Sequence, residues 1–393
     1  MVDDITEENK KAAGPSETLP RRDTSPPSAQ GGGGEPPKGT VIQPRFSGTT
    51  GEFFRIWIVN IFLTIITFGI YGAWAKVRTR RYFYAHTKVA GHPFDYLANP
   101  VAILKGNLII GGAAILYSST NLIHPLLTPV VALTFAAFFP FLIYKSLRFY
   151  AHNSAYRNIR FRFHGGLKES YLVYLLIPLT IPFTLGLIFP YWSYRRKAYF
   201  YNNVALGSTA TTFVGRVAPF YRIYGVATAA VILLAVGGGA LLSNIGGAAL
   251  GPLLKVLNEN ANGSSGFNAT WMLIIGAVAF YLTVLLIMSL IKQYLFVRMT
   301  NYCWHHARLG KVLFQSTIRV RTLVWIRVTN ILAIIFSLGL MVPWAKIRRT
   351  RYILDNLSLL AYCSLDEFTA ATAVDESALG EAATDFFDFE IGL

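Results

Sequence analysis

The chain has 393 residues, of which 53% are hydrophobic and only 14% charged, with a mean hydropathy of +0.42. That balance excludes an ordinary soluble domain, because apolar runs such as "IWIVNIFLTIITFGIYGAWA" (56–75) reach the roughly 20 residues that cross a bilayer as helix. The formal net charge of +16 would suit nucleic acid, but the basic residues gather at the ends of apolar segments, where they stay cytoplasmic and meet anionic lipid. Membrane lipids are the expected partner and nucleic acid is not.

In chain order, residues 1–44 are rich in Pro, Gly, Ser and charge, lack the apolar core of a signal peptide, and read as a disordered tail. Residues 45–362 form the membrane domain. Seven apolar segments lie in it, at about 56–75, 103–120, 126–144, 171–192, 225–248, 271–291 and 323–344, each expected to be helical because a lipid-exposed backbone must satisfy its own hydrogen bonds. Between Phe53 and Asp355, 30 Lys and Arg face only four acids, Asp95, Glu169, Glu259 and Asp355. Residues 363–393 carry eight acids and no Lys or Arg, and read as a second, acidic disordered tail. Cys303 and Cys363 form no CxxC pair, and a reduced state is expected.

The chain repeats itself. A shift of 117 residues places Arg45 on Arg162, Gly48 on Gly165, Glu52 on Glu169, Gly69 on Gly186, Arg78 on Arg195 and Tyr82 on Tyr199. A shift of 270 places Asn60 on Asn330, Gly69 on Gly339, Trp74 on Trp344, Arg78 on Arg348 and Tyr82 on Tyr352. The expected fold is therefore an all-α polytopic membrane protein: three repeat modules (about 45–100, 160–215 and 315–362), drawn as re-entrant hairpins, alternating with two transmembrane helix pairs (about 101–145 and 223–292). Seven conventional transmembrane helices are the alternative.

Charge decides between them at this level. Connections 76–105, 145–168, 195–222, 292–327 and 346–351 carry six, six, five, seven and four Lys or Arg, whereas 119–125 carries none and 249–270 only Lys255. Four crossings put every basic cluster inside and both poor loops outside, with both termini cytoplasmic; seven crossings strand at least two basic clusters outside. Each module needs a bend, and Gly69, Gly186 and Gly339, in "TFG", "TLG" and "SLG", supply one. After each aromatic and basic anchor ("AWAKVRTRRY", "PYWSYRRKAY", "PWAKIRRTRY") the period changes, and 88–96, 158–166, 204–215, 311–320 and 357–365 read as short strands of a small cytoplasmic sheet.

On "FSGTTGEFFRIWIVNIFLTIITFGIYGAWAKVRTRRYFYAHT" (46–87), "FDY" with "ILKG" (94–106), and "PWAKIRRTRY", the chain resembles the YjgN-like family of bacterial inner-membrane proteins, grouped as a domain of unknown function. The resemblance covers about 45–362. It implies a location, the bacterial inner membrane, and an architecture, but no activity. The second copy departs from the pattern, with Ser193 where the others have Lys76 and Lys346.

No P-loop, HExxH, GxSxG or dinucleotide fingerprint occurs, so no catalytic residue, cofactor or metal is expected. His305 and His306 are neighbours in a helix, point about 100° apart, and read as interfacial residues. Glu52 and Glu169 are equivalent acids in an acid-poor core; they suit a polar path for protons or cations, or simply complement helix N-termini. Asn60 and Asn330, within apolar stretches, either line such a path or bond between helices. Arg78, Arg195 and Arg348, each four residues before Tyr82, Tyr199 or Tyr352, put a guanidinium and a phenol on one helix face, as a lipid-headgroup site or as membrane anchors. The functional expectation is a non-enzymatic inner-membrane protein that transports or handles a lipid or small solute, since duplicated modules around broken helices are a transporter habit. A structural or regulatory protein that binds anionic lipid at the inner leaflet is the alternative.

Overall fold

A computed structural model of the protein describes residues 39–124, 126–237 and 264–362. Strand pairs alternate with helix pairs along the chain. β1 (Thr40–Ile42) and β2 (Arg45–Phe46) lead to α1 (Thr50–Ile66) and α2 (Gly72–His86), and then β3 (Thr87–Val89) and β4 (His92–Tyr96) lead to α3 (Pro100–Ile123) and α4 (Leu127–His152). β5 (Ser154–Tyr156) and β6 (Ile159–Phe163) precede a broken arm: α5 (Leu167–Tyr171), a π turn (Leu172–Leu176), α6 (Ile177–Leu179) and a 3₁₀ turn (Pro182–Thr184). That arm returns as α7 (Phe189–Asn203). β7 (Val204–Leu206) and β8 (Thr209–Phe213) lead to α8 (Ala218–Gly237) and α9 (Ser264–His306). β9 (Ala307–Leu309) and β10 (Val312–Ser316) lead to α10 (Val320–Phe336) and α11 (Val342–Asp355), and β11 (Leu357–Ala361) ends the described chain.

The eleven strands form one curled antiparallel sheet, in the order β1-β11-β10-β9-β8-β7-β6-β5-β4-β3-β2. Its two ends, β1 and β2, are consecutive in sequence and separated only by Gln43 and Pro44, so the covalent chain closes the ring. Pro44 has no N–H to offer a ladder, which suits a break there. Closure leaves no long free edge for another chain to pair with. Four of the hairpins turn through two residues, and left-handed backbone at Ala90 and Gly91, Arg157 and Asn158, Gly207, and Gly310 gives the twist that such tight turns need.

Five corners between strand and helical hairpin are built alike. The N–H groups of Ser47, Leu97, His164, Val214 and Thr317 donate to the carbonyls of His86, Asn153, Asn203, His306 and Asn356 at 2.8–2.9 Å. The side chains of those same five residues turn back onto the carbonyls of Tyr82, Phe149, Tyr199, Tyr302 and Tyr352 at 2.7–2.8 Å, closing the ends of α2, α4, α7, α9 and α11. Short polar side chains there satisfy carbonyls that a helix end leaves without partners.

The all-α class is thus overturned by the sheet. Seven crossings are overturned too: among the described residues four helices are long and apolar enough to span a membrane, Pro100–Thr120, Leu127–His152, Ala218–Gly237 and Ile274–His306. Nor are there three modules set among unrelated helix pairs. Among the described residues five helical hairpins, three short and two long, stand on one ring, and the long pairs share the corner that the sequence shows clearly only in the short ones. β1, moreover, begins inside the stretch read as tail.

An apolar plug fills the ring at its far end from the helices. Val89, Tyr156, Ile159 and Leu206 form it, with Ile42, Phe94, Phe161, Leu309 and Leu359 packed against them, so that strands all round the ring contribute. Burial of these side chains contributes about 1.5–3 kcal/mol for each one fully removed from water.

A chamber between the helices and the strand ring

Of the residues singled out in the sequence, most serve the hairpins themselves. Gly69, Gly186 and Gly339 have φ of +91, +82 and +93° and follow Phe68, Leu185 and Leu338, which are also left-handed. The glycine N–H groups donate to Thr64, Ile181 and Ile334, five residues back, at 2.8–2.9 Å, the bond that terminates a helix in a Schellman motif. Phe68, Leu185 and Leu338 stand at the hairpin tips more than nine-tenths exposed, which suits contact with hydrocarbon.

Asn60 and Asn330 are buried and bond between helices: Nδ2 of each donates to the carbonyl of Ala75 or Ala345, at 3.4 and 3.2 Å. Glu52 and Glu169 lie in the first turns of α1 and α5. Glu52 accepts from the Tyr82 hydroxyl and sits 3.8 Å from His86, and Glu169 pairs with Arg195 at 3.6 Å. The Thr49 and Tyr82 hydroxyls hold the Glu52 carboxyl below the usual range.

The repeated Arg and Tyr do not converge on one site. The Tyr82 hydroxyl lies 2.8 Å from the Thr49 N–H and 2.9 Å from its carbonyl, and the Tyr199 hydroxyl donates to Gly166 O. Tyr302 and Tyr352 hold Arg216 and Arg319 by the same backbone grip, so these phenols lock corners. Arg78 is exposed on α2, whereas Arg348 donates to Thr329 Oγ1 and Asn330 Oδ1 at 2.7 and 3.1 Å.

What the sequence reading missed is a cavity of ≈ 860 Å³ between the plug and the helices, within the usual size range of small-molecule sites. The first residues of β3, β5 and β7 (Thr87, Ser154 and Val204) line it, together with Phe94 and Phe161, which also pack on the plug. Its walls are the ring-side ends of α2, α4, α7 and α9, through Phe83, Tyr84, Leu147, Tyr150, Phe200 and Trp304, and it rises along α4 to Ile143 and Phe139. No acidic side chain lines it, but two cations do, Arg196 and Lys197.

The broken arm places one of them. Ile177 N–H reaches back five residues to Leu172, and the next residue in that register, Pro178, has no N–H for Val173 O. Trp192 Nε1 donates to that carbonyl instead, at 2.8 Å. The fixed indole then carries the Arg196 guanidinium 4.7 Å from its ring centroid, a cation–π contact. Lys197, one residue on, forms no hydrogen bond or ion pair with a described residue, and burial pushes its ammonium below the usual lysine range. A cation with no counter-charge in such surroundings costs free energy that an incoming anion would offset. The sequence held one signal: the second copy has Ser193, fully buried and bonded to the Tyr224 hydroxyl, where the others have Lys, and shifts its charge to 195–197.

Among the described residues no group of three His, Cys, Asp or Glu is placed to hold a metal ion. In comparisons with known proteins, the model of a family described as bacterial protein of unknown function (DUF898) matches residues 42–386. Proteins named inner membrane protein YjgN, from Escherichia coli O157:H7 and strain K12, are each 30% identical over 150 residues, 37% of this chain and 36% of theirs. One of that name from Salmonella typhimurium is 31% identical over 139 residues, 35% of each chain. The matched stretch is thus about a third of those relatives. No solved structure matches the chain.

Proposed function

The chain belongs to the DUF898 family of bacterial proteins, and on that premise we propose that it is an inner-membrane protein that holds an amphiphile with an anionic head group in the chamber between its helices and its strand ring. The relatives' name, inner membrane protein, supports the location, and the four long apolar helices support the membrane. The charge rule supports placing the ring on the cytoplasmic side. One observation carries the ligand class: a largely apolar and aromatic chamber whose cations, Arg196 and Lys197, have no acid beside them. The head group meets the two cations, and the chain lies against Phe139, Ile143 and Leu147 on α4. The apolar side chains packed together inside the ring support holding or handing over a lipid above open passage of a solute.

The test is to purify the wild type and the Arg196→Gln/Lys197→Gln variant from the same membranes and identify bound lipids by native mass spectrometry. The expected outcome is an anionic amphiphile retained by the wild type and lost, by tenfold or more, from the double variant. Equal retention in both would remove the chamber as the site.

A further inference from the structure

A second basic pocket, remote from the chamber in its lining residues, lies where α9, α10 and α11 meet. It encloses ≈ 260 Å³, and Arg327 on α10 with Lys346 and Arg349 on α11 line it, around the buried amide groups of Gln293 and Asn330. Arg327 is tied by Nε to Ser289 Oγ at 3.2 Å, and Arg349 lies over Phe296, 5.1 Å from its ring centroid. The Arg349 Nε is buried and has no hydrogen-bond partner. No acid lines the pocket, and Glu52 and Glu169, two of the few acids of the core, are engaged at other corners.

Three cations around one small space repel one another, and a buried guanidinium N–H without an acceptor is costly. The fold does not require this arrangement. At the positions of Arg327 and Arg349 the first hairpin, otherwise equivalent and with its own Lys76 and Asn60, has Trp57 and Thr79. We infer that the fifth hairpin, α10 and α11, carries a phosphate site, in which Arg327, Lys346 and Arg349 grip the phosphate of a phospholipid head group or a free phosphate. A guanidinium offers the paired N–H donors that phosphate oxygens accept, and a phosphate would supply the acceptor that Arg349 Nε lacks. Ile331, Ile334 and Val342 continue the pocket toward the hairpin tip, an apolar surface suited to the acyl chains of a lipid.

The site is independent of the chamber, and the experiment keeps the two apart. Delipidated full-length protein in a neutral detergent is titrated with phosphatidylglycerol, with phosphatidylcholine and with inorganic phosphate, and its melting temperature is followed. Phosphatidylglycerol should raise the melting temperature, and Arg349→Gln and Lys346→Gln should each shift the midpoint of that titration by about tenfold, the effect of one lost charge-assisted contact. The same tenfold shifts are expected when Arg349→Gln and Lys346→Gln are made in the Arg196→Gln/Lys197→Gln background, where the chamber no longer contributes to the titration. Lys346 is exposed, so its variant reports even where Arg349→Gln folds poorly. Stabilisation by phosphatidylglycerol but not by phosphate assigns a lipid head group, and equal stabilisation by both assigns free phosphate. A wild-type midpoint in both single variants, or no stabilisation by phosphatidylglycerol or by phosphate, would overturn the site, whereas phosphatidylcholine, which carries the same phosphodiester, shows whether the net charge of the head group adds to the grip.

Discussion

Lys197 sits in the chamber wall with no acidic side chain beside it, and its charge state links the chamber to stability. Burial lowers its affinity for a proton below the unfolded value of 10.5, the proximity of Cys303 acts in the opposite direction, and the like charge of Arg196 lowers it further. Between the lowered folded value and 10.5 the unfolded chain binds a proton that the folded chain does not, so stability rises with pH across that window. Below the window the charge is present in both states and the full penalty applies. Lys197→Met, similar in length and without charge, should therefore stabilise the ligand-free protein near neutral pH, by an amount on the order of 1 kcal/mol. It should also remove the part of the rise toward pH 10 that belongs to this residue. Thermal unfolding of delipidated wild type and variant at the two pH values checks both, because other titrating groups are common to the pair. A variant less stable at pH 7, with the rise intact, would mean that the ammonium has a partner in the fold.

At the scale of elements, the short hairpins depend on their glycines. Gly339 has φ of +93° with open space around its α-carbon, so the strain of a side chain there comes from backbone conformation and not from a clash. Gly339→Ala should cost about 1–2 kcal/mol and Gly339→Val more, whereas Gly51→Ala, in the first turn of α1 and equally open, should be neutral or stabilising. Denaturation midpoints of the three purified variants give the ranking, and an alanine at 339 that stabilised would contradict the left-handed turn. These turns, and the strands that follow each basic anchor, were legible because the signals are local: a glycine after Phe or Leu, itself preceded by Thr or Ser, and a change of period. The ring was not. Its closing pairs join Thr40 to Ala361, and Arg351 reaches Gly48 across 303 residues, while strands of two to five residues carry too little pattern to name their partners. The second hairpin hid its kinship for a similar reason. At its corner Ala98 replaces the glycine and Phe149 the tyrosine, while the shared backbone bond from Leu97 to Asn153 leaves no trace in side-chain identity. Arg196 and Lys197 were hidden by resemblance to an interface anchor, since charge beside aromatic residues reads alike whether it faces lipid or a cavity.

The whole molecule places its charge by this architecture. Every described hairpin leaves the ring and returns to it, so the ends of α2, α4, α7, α9 and α11 all converge there, and each brings a basic cluster to the same side. Arginine or lysine near a helix C-terminus is favoured by the helix dipole, and on the cytoplasmic face it also meets anionic lipid. Moving the ring outside would carry five basic clusters across the membrane, against the bias that orients inner-membrane proteins. The far end of the first long pair opposes nothing, because 119–125 has no Lys or Arg. In a background with Cys303 and Cys363 replaced by Ser, Ser118→Cys on α3 should therefore react with an impermeant maleimide in cells whose outer membrane alone is opened. Ser208→Cys and Lys311→Cys are exposed in the turns of two ring hairpins and should react only after the inner membrane is permeabilised. Labelling of the ring positions in intact spheroplasts, with Ser118→Cys silent, would invert the molecule. It would then present Arg196 and Lys197 to the opposite leaflet and set the head group of any bound lipid on the periplasmic side.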